Sequence, residues 1–188
     1  MKVRTHFHLA KLSLHNLKSC FPENFSLNMF YLGTIIADCC WLAYTNPHFY
    51  KKSDKYIEKK LDNLLEKEKL NAYNSLQLGI IIHYLCDFCC YSHINDSIGN
   101  VNEHMVYERG IQKYLLSNLK SFKIPGGKKN KKKFKDLKAI ISTQVFKYRK
   151  GKHSFKWDIQ NSVEMSSYVC EEVFRKFKNK EVCNTMTV

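Results

Sequence analysis

The chain has 188 residues, 44% of them hydrophobic and 13% aromatic, which excludes an intrinsically disordered protein and suffices for one hydrophobic core. Because it contains only 7 Gly and 3 Pro, the composition disfavours a turn-rich β-sandwich or barrel. The formal net charge of +14, from 31 Lys and Arg against 17 Asp and Glu, predicts attraction to anionic partners such as phosphate groups, acidic lipids or nucleic acid.

The N-terminal sequence MKVRTHFHLAKLSLHNL alternates polar and apolar residues and lacks the continuous apolar stretch of a secretory signal peptide. The apolar run at 78–82 is too short to cross a bilayer. The eight cysteines are therefore expected to be reduced thiols. Together these features predict a cytoplasmic protein.

Apolar residues recur at helical intervals along most of the chain. Asn46-Pro47 is expected to end the second helix, and Ser53-Asp54 to cap the third. The pattern predicts an all-α fold, a single-domain helical bundle over residues 1–188. The predicted helices lie in 4–20, 25–44, 53–70, 74–91, 103–122, 134–150 and 158–180.

A basic loop is predicted at about 123–135, before the sixth helix. Six lysines fall within 128–135, and Lys138 follows. A run of like charges usually marks a solvated loop. The other interpretation is that Lys128–Lys138 docks on an anionic membrane surface or on nucleic acid.

The apolar stretch LGIIIHYLCDFCCYSH, residues 78–93, carries three polar side chains that are unusual in a buried helix. His83 and Asp87 are four residues apart, so they project from one helix face into the same space. His93 follows six residues later, where the helix is expected to end. On the next predicted helix, His104 and Glu108 repeat the four-residue spacing.

Other segments add residues of the same types. Asp38 lies near the end of the second predicted helix, His48 lies in the turn that follows, and His6 and His8 begin the first helix. Six of the eight histidines thus fall in short segments that also contain three acids. Imidazole and carboxylate groups together suit zinc and other divalent first-row metals. A bound cation would also offset the high cost of burying an aspartate.

Each element alone has a simpler interpretation. A lone His-x-x-x-Asp pair is more often a hydrogen-bonded core pair than a pair of metal ligands. His104 and Glu108 alone fit a solvated surface pair, and Asp38 alone fits a turn cap. The metal hypothesis depends on the joint pattern.

The stretches 78–93 and HMVYE, residues 104–108, resemble the zinc-dependent phospholipase C family. Its members carry a Leu-Gly-x-x-x-His-Tyr-x-x-Asp-x-x-x-x-x-His core followed by His-x-x-x-Glu. The segments IIADCC and NPHFY are similar to the family's Asp-bearing helix end and His-Phe-Tyr turn, and RTHFHLAKL is similar to its first helix, which aligns His6 with the ligand position. The resemblance spans roughly residues 4–120.

This resemblance implies a bundle of the zinc-dependent phospholipase C type that holds two or three Zn²⁺ ions. One ion would be held by Asp38, His48, His83 and Asp87, a second by His93, His104 and Glu108, and a third by His6 with Asp87 bridging. Secreted relatives complete the third site with a free N-terminal amine. Here that role falls to the amine of Met1 or to water.

The activity implied is zinc-dependent hydrolysis of a phosphoester by an activated water, with phospholipid headgroups the leading substrate class. Asp38 would act as the catalytic residue by accepting a proton from that water. Single-strand-specific nucleases share the helical fold and make nucleic acid the alternative substrate, although they typically carry Asp where this chain has Glu108. A non-catalytic metal-binding helical protein is the third hypothesis. The sequence leaves the substrate and the oligomeric state open.

Overall fold

The computed structural model describes residues 1–39, 45–94, 100–122 and 136–185. These residues form helices and contain no strand, so the prediction of an all-α fold is confirmed. Short 3-10 turns follow three of the helices, at Lys18–Cys20, Tyr91–His93 and Leu119–Ser121. The helices are α1 (Val3–Leu14), α2 (Leu27–Cys39), α3 (Tyr50–Glu66), α4 (Ala72–Phe88), α5 (Val101–Asn118), α6 (Leu137–Lys150) and α7 (Phe155–Thr185).

Side-chain caps fix the start of several helices. The Asn71 side chain accepts a hydrogen bond from the Asn74 amide at 3.0 Å at the start of α4, and Asn100 caps α5 in the same way. The predicted cap at Ser53 is wrong, because α3 already begins at Tyr50. Ser53 is instead buried within α3 and donates its hydroxyl to the Pro47 carbonyl.

Helix α4 lies at the centre of the fold and makes its most extensive contact with α2. Two glycines form the crossing point. A Cβ atom on Gly33 would lie 2.2 Å from the Leu76 carbonyl oxygen, and one on Gly79 would lie 2.1 Å from the Phe30 carbonyl oxygen. The two backbones therefore approach more closely than any side chain would allow.

The long helix α7 covers α4 and packs against α1, α5 and α6. Its buried face consists of apolar side chains at helical spacing, so it closes the core. These residues are Ile159, Val163, Met165, Val169, Val173, Phe174 and Phe177.

The whole of the predicted basic loop, 123–135, lies outside the described residues, as do 40–44 of the predicted second helix. Lys138, the last lysine of the run, forms an ion pair with Asp62 at 2.7 Å on the surface of α3. Among the described residues no helix combines the length and apolarity that a membrane span requires.

Candidate metal centre

Helix α4 contributes the two central side chains of the candidate site, His83 and Asp87. Both are fully buried, and His83 Nε2 lies 3.3 Å from Asp87 Oδ2. The glycine crossing brings α2 alongside, so that Asp38 Oδ1 lies 3.5 Å from His83 Nε2.

Two further histidines reach this group from other segments. His6 of α1 is fully buried and stacks on His83 with ring centroids 3.7 Å apart, and its Nε2 lies 3.4 Å from Asp87 Oδ1. His48 places Nδ1 3.0 Å from Asp87 Oδ2. We call His6, Asp38, His83 and Asp87 the inner cluster, because each offers one ligand atom and these atoms all lie within 4.8 Å of one another.

The second group consists of His93, in the 3-10 turn after α4, with His104 and Glu108 of α5. His104 Nε2 lies 3.0 Å from Glu108 Oε1, and His93 Nε2 lies 3.4 Å from the same oxygen. The ligand atoms of these three residues also lie within 4.8 Å of one another, and we call them the outer cluster.

Three of these histidines are held in one orientation by backbone carbonyl groups. A carbonyl oxygen only accepts hydrogen bonds, so each Nδ1 must carry a proton and each Nε2 faces the site, where it can bind a cation once it carries no proton of its own. Metal-binding histidines are held in this way. The bonds run from His83 Nδ1 to Thr34 O (2.9 Å), His93 Nδ1 to His48 O (3.0 Å) and His104 Nδ1 to Ser92 O (3.1 Å).

The amine of Met1 lies between the two clusters and is fully buried. It lies 2.5 Å from Asp87 Oδ1, 3.1 Å from Glu108 Oε1 and 3.2 Å from His93 Nε2. A positive charge thus sits where acids of both clusters converge.

The donor set fits a divalent cation, because ligand-type atoms here remain unpartnered. Eight buried side-chain nitrogen or oxygen atoms in the described chain have no hydrogen bond of acceptable geometry. Five of them belong to this site, although buried polar atoms are normally paired. Cations bound in the site would satisfy Nε2 of His6, Oδ2 of Asp38 and Oδ2 of Asp87. The other two atoms, Nδ1 of His6 and Nε2 of His48, belong to rings whose second nitrogen faces Asp87.

Burial and mutual charge shift the pKa values of these groups in different directions. Burial opposes ionisation of Asp87, yet the positive charge of the Met1 amine, together with the neighbouring imidazoles, outweighs it and holds its pKa well below the usual range. Burial lowers the pKa of His6 to about 4. Burial also opposes the charged form of His83, but Asp38 and Asp87 outweigh it and raise its pKa to about 9. Without metal the site therefore combines ionised carboxylates with a neutral imidazole at His6 and a protonated one at His83, whose extra proton a bound cation would displace.

A cavity of about 680 Å³ opens onto both clusters. Asp38 from the inner cluster and all three outer residues line it. Its other lining residues include Lys2, Val3, Arg4, Pro47, Phe49 and Gln112. This volume lies within the range of small-molecule sites.

The structure brings together all eight residues that sequence analysis proposed as ligands. His8, the second histidine at the start of α1, is half-buried and makes an edge contact with the Phe7 ring, outside both clusters. Sequence reasoning missed the carbonyl groups of Thr34 and Ser92, which hold two of the histidines, because backbone acceptors leave no signal in residue identity.

The family model described as "Zinc dependent phospholipase C" matches residues 5–155. The match covers most of the chain and includes all eight proposed ligands, and it confirms the resemblance seen in the motifs. Searches of curated protein sequences and of solved structures found no match. The chain belongs to the zinc-dependent phospholipase C family.

Proposed function

We propose that this chain is a zinc-dependent phosphodiesterase that acts on phospholipid headgroups. The observation that carries the proposal is the set of three histidines whose Nδ1–H groups donate to carbonyl oxygens while their Nε2 atoms converge on carboxylates. Each of these Nε2 atoms faces a carboxylate oxygen, Asp87 Oδ2 for His83 and Glu108 Oε1 for His93 and His104, and imidazoles with carboxylates are the ligand set that zinc binds.

The ligand assignment is the one that the family resemblance implies, and the eight side chains lie close enough together to support it. Asp38, His48, His83 and Asp87 would hold one ion, and the outer cluster would hold a second. His6 would hold a third with Asp87, and the Met1 amine, 2.5 Å from Asp87 Oδ1, fits as a further ligand that releases a proton on binding.

Zinc, when bound, supplies a Lewis acid for a phosphoryl oxygen and lowers the pKa of a water molecule to about 7. Asp38 is the inner carboxylate that reaches the cavity, with 21% of its side chain exposed, whereas Asp87 is fully enclosed. We therefore assign to Asp38 the role of accepting a proton from the attacking water. Lys2 and Arg4 at the cavity mouth attract the anionic phosphate group.

The cavity mouth favours a lipid over a nucleic acid. Exposed apolar side chains lie on two helices that carry site residues: Val3, which lines the cavity, on α1, and Val101, Met105 and Val106 on α5. Nucleases that bind single strands stack bases on exposed aromatic rings. Apart from its histidines, the described lining of the cavity contains one aromatic side chain, Phe49, and that ring is buried.

Metal content is the first test. The purified chain is expected to contain two or three zinc ions per molecule by plasma mass spectrometry, to lose hydrolysis with a chelator and to regain it with Zn²⁺. His83→Ala should lose zinc and activity. His15→Ala, at an exposed histidine bonded to Asn16, is the matched control and should retain both. A chain with no zinc would refute the proposal.

A substrate panel is the second test. Phosphatidylcholine vesicles, a generic phosphodiester, a phosphomonoester and single-stranded DNA should separate the candidate activities, with phosphatidylcholine hydrolysed fastest. Faster cleavage of DNA would replace the phospholipase with a nuclease. Zinc binding without hydrolysis of any substrate would leave a non-catalytic metal protein.

A further inference from the structure

Asp158, in the first turn of α7, is a fully buried carboxylate just beyond the residues that match the family model. It accepts three hydrogen bonds. Oδ2 accepts from the Tyr91 backbone amide at 2.9 Å and from the Tyr107 hydroxyl at 2.8 Å, and Oδ1 accepts from the Tyr148 hydroxyl at 2.8 Å.

Two of these donors lead directly to the outer cluster. Tyr91 begins the 3-10 turn that presents His93, and Tyr107 precedes Glu108 on α5. A single oxygen of Asp158 thus joins the two segments that bring His93 Nε2 within 3.4 Å of Glu108 Oε1.

The arrangement is costly for a purely structural contact. The three hydrogen-bond donors are neutral, and burial raises the pKa of the Asp158 carboxyl. Replacement of a buried charged group by an apolar side chain of similar volume is often neutral or stabilising. A well-packed apolar residue would therefore serve stability at this position, but it would not tie a turn amide to a helix hydroxyl.

We infer that Asp158 is a positioning residue for the outer cluster, which fixes the His93 turn relative to α5. The inference rests on the proposed metal centre. Partners that orient metal ligands from outside typically change metal affinity by roughly 10–100-fold when they are removed.

The test compares Asp158→Ala with Asp158→Asn. The alanine variant is expected to weaken zinc binding at the outer cluster by roughly 10–100-fold while the inner cluster keeps its affinity. The asparagine variant should rescue most of this loss, because its carbonyl oxygen can accept from Tyr91 and Tyr107 while its amide donates to Tyr148. Imidazole resonances of His93, His104 and His83, followed by NMR during a zinc titration, report the two clusters separately.

Asn161→Ala is the matched control. Asn161 is buried on the same helix, but its side chain donates to the Trp157 carbonyl within α7. The Asn161→Ala variant should lower the stability of the protein, but it should not weaken zinc binding at one cluster more than at the other. If Asp158→Ala does not fold, Tyr107→Phe removes one hydroxyl from the network and should shift outer-cluster affinity in the same direction by a smaller factor.

A second measurement needs no metal. In the metal-free protein, Asp158→Ala should accelerate hydrogen exchange at the Tyr91 amide and leave the amides of α4 unchanged. Equal weakening of both clusters, or an unchanged outer cluster, would overturn the inference while the proposed function stands. A wild-type chain that binds no zinc would overturn the proposed function, and exchange at Tyr91 would then still decide whether Asp158 holds the turn.

Discussion

The two clusters of the proposed metal centre are built in different ways. The inner cluster comes from three packed helices, and His6, His83 and Asp87 are fully buried. The outer cluster comes from a 3-10 turn and α5, and its side chains are 6–13% exposed to the cavity. Helix packing fixes the inner residues, whereas hydrogen bonds to turn and loop backbone fix the outer ones. The two clusters should therefore respond to different kinds of substitution.

Asp87 joins the clusters, so its substitution is expected to have the largest effect. Oδ1 faces the Met1 amine and His6, and Oδ2 faces His48 and His83. Asp87→Asn removes the charge nearest to the buried Met1 amine and leaves Glu108 as its remaining acid, which should destabilise the metal-free protein by up to about 3–5 kcal/mol. Zinc should be lost from both clusters, and hydrolysis should fall to background.

Thermal unfolding with and without chelator, together with metal analysis, measures both effects. Asp62→Asn, at the exposed pair with Lys138, is the control and should change stability by less than about 1 kcal/mol. Retention of zinc at either cluster in Asp87→Asn would show that the clusters bind independently.

Glu108→Gln should weaken zinc binding at the outer cluster and leave it unchanged at the inner cluster. Both outer imidazoles face Glu108 Oε1, so loss of its charge should weaken the outer zinc by more than the roughly 10–100-fold typical of residues that only orient ligands. The inner cluster, which shares no ligand with it, should keep its metal. Glu103→Gln on the exposed side of α5 is the control. Loss of inner zinc in Glu108→Gln would contradict the division into two clusters.

Gly79→Ala tests the inner cluster through its packing. The new methyl group would lie 2.1 Å from the Phe30 carbonyl oxygen, a backbone atom that moves only with α2. Overpacking of this kind costs about 1–3 kcal/mol or more. Since Asp38 follows the crossing on α2 and His83 follows it on α4, their 3.5 Å contact should lengthen and inner zinc affinity should fall.

Gly110→Ala on α5 is the comparison, because its methyl group would meet the end of the Phe155 ring, which can turn aside. Calorimetry and a zinc titration on both variants should show the larger loss for Gly79→Ala. Equal losses would mean that the glycine crossing does not set the inner cluster.

The sequence predicted helices well because apolar spacing is a local property. Their ends were less predictable, and α3 shows why. Ser53 is a good cap residue, but the Pro47 carbonyl accepts its hydroxyl and the helix begins three residues earlier, at Tyr50. Whether a serine caps a helix depends on which backbone groups lie near its hydroxyl in the folded chain, and the sequence does not reveal those distances.

The same limit applies to the site. The four-residue spacings His83 to Asp87 and His104 to Glu108 predicted which side chains share a face. The glycine crossing of α2 and α4, and the carboxylate of Asp158, act between segments far apart in sequence. Neither contact follows from a local sequence pattern, so neither could be predicted without the folded structure.

The smallest predicted effect concerns the cavity mouth. Lys2 and Arg4 line it beside the outer cluster. If substrate enters here as part of an anionic lipid surface, each cation should contribute about 1 kcal/mol, because a basic side chain near such a surface is worth that much. Lys2→Gln and Arg4→Gln should each raise the apparent KM for anionic vesicles about 5-fold at low salt and leave kcat unchanged, since neither residue belongs to a cluster.

Lys138→Gln, at the Asp62 ion pair, is the control and should leave KM unchanged. The difference should shrink at high salt, because exposed charges are screened. A change in kcat without a change in KM would instead place these residues in the chemical step.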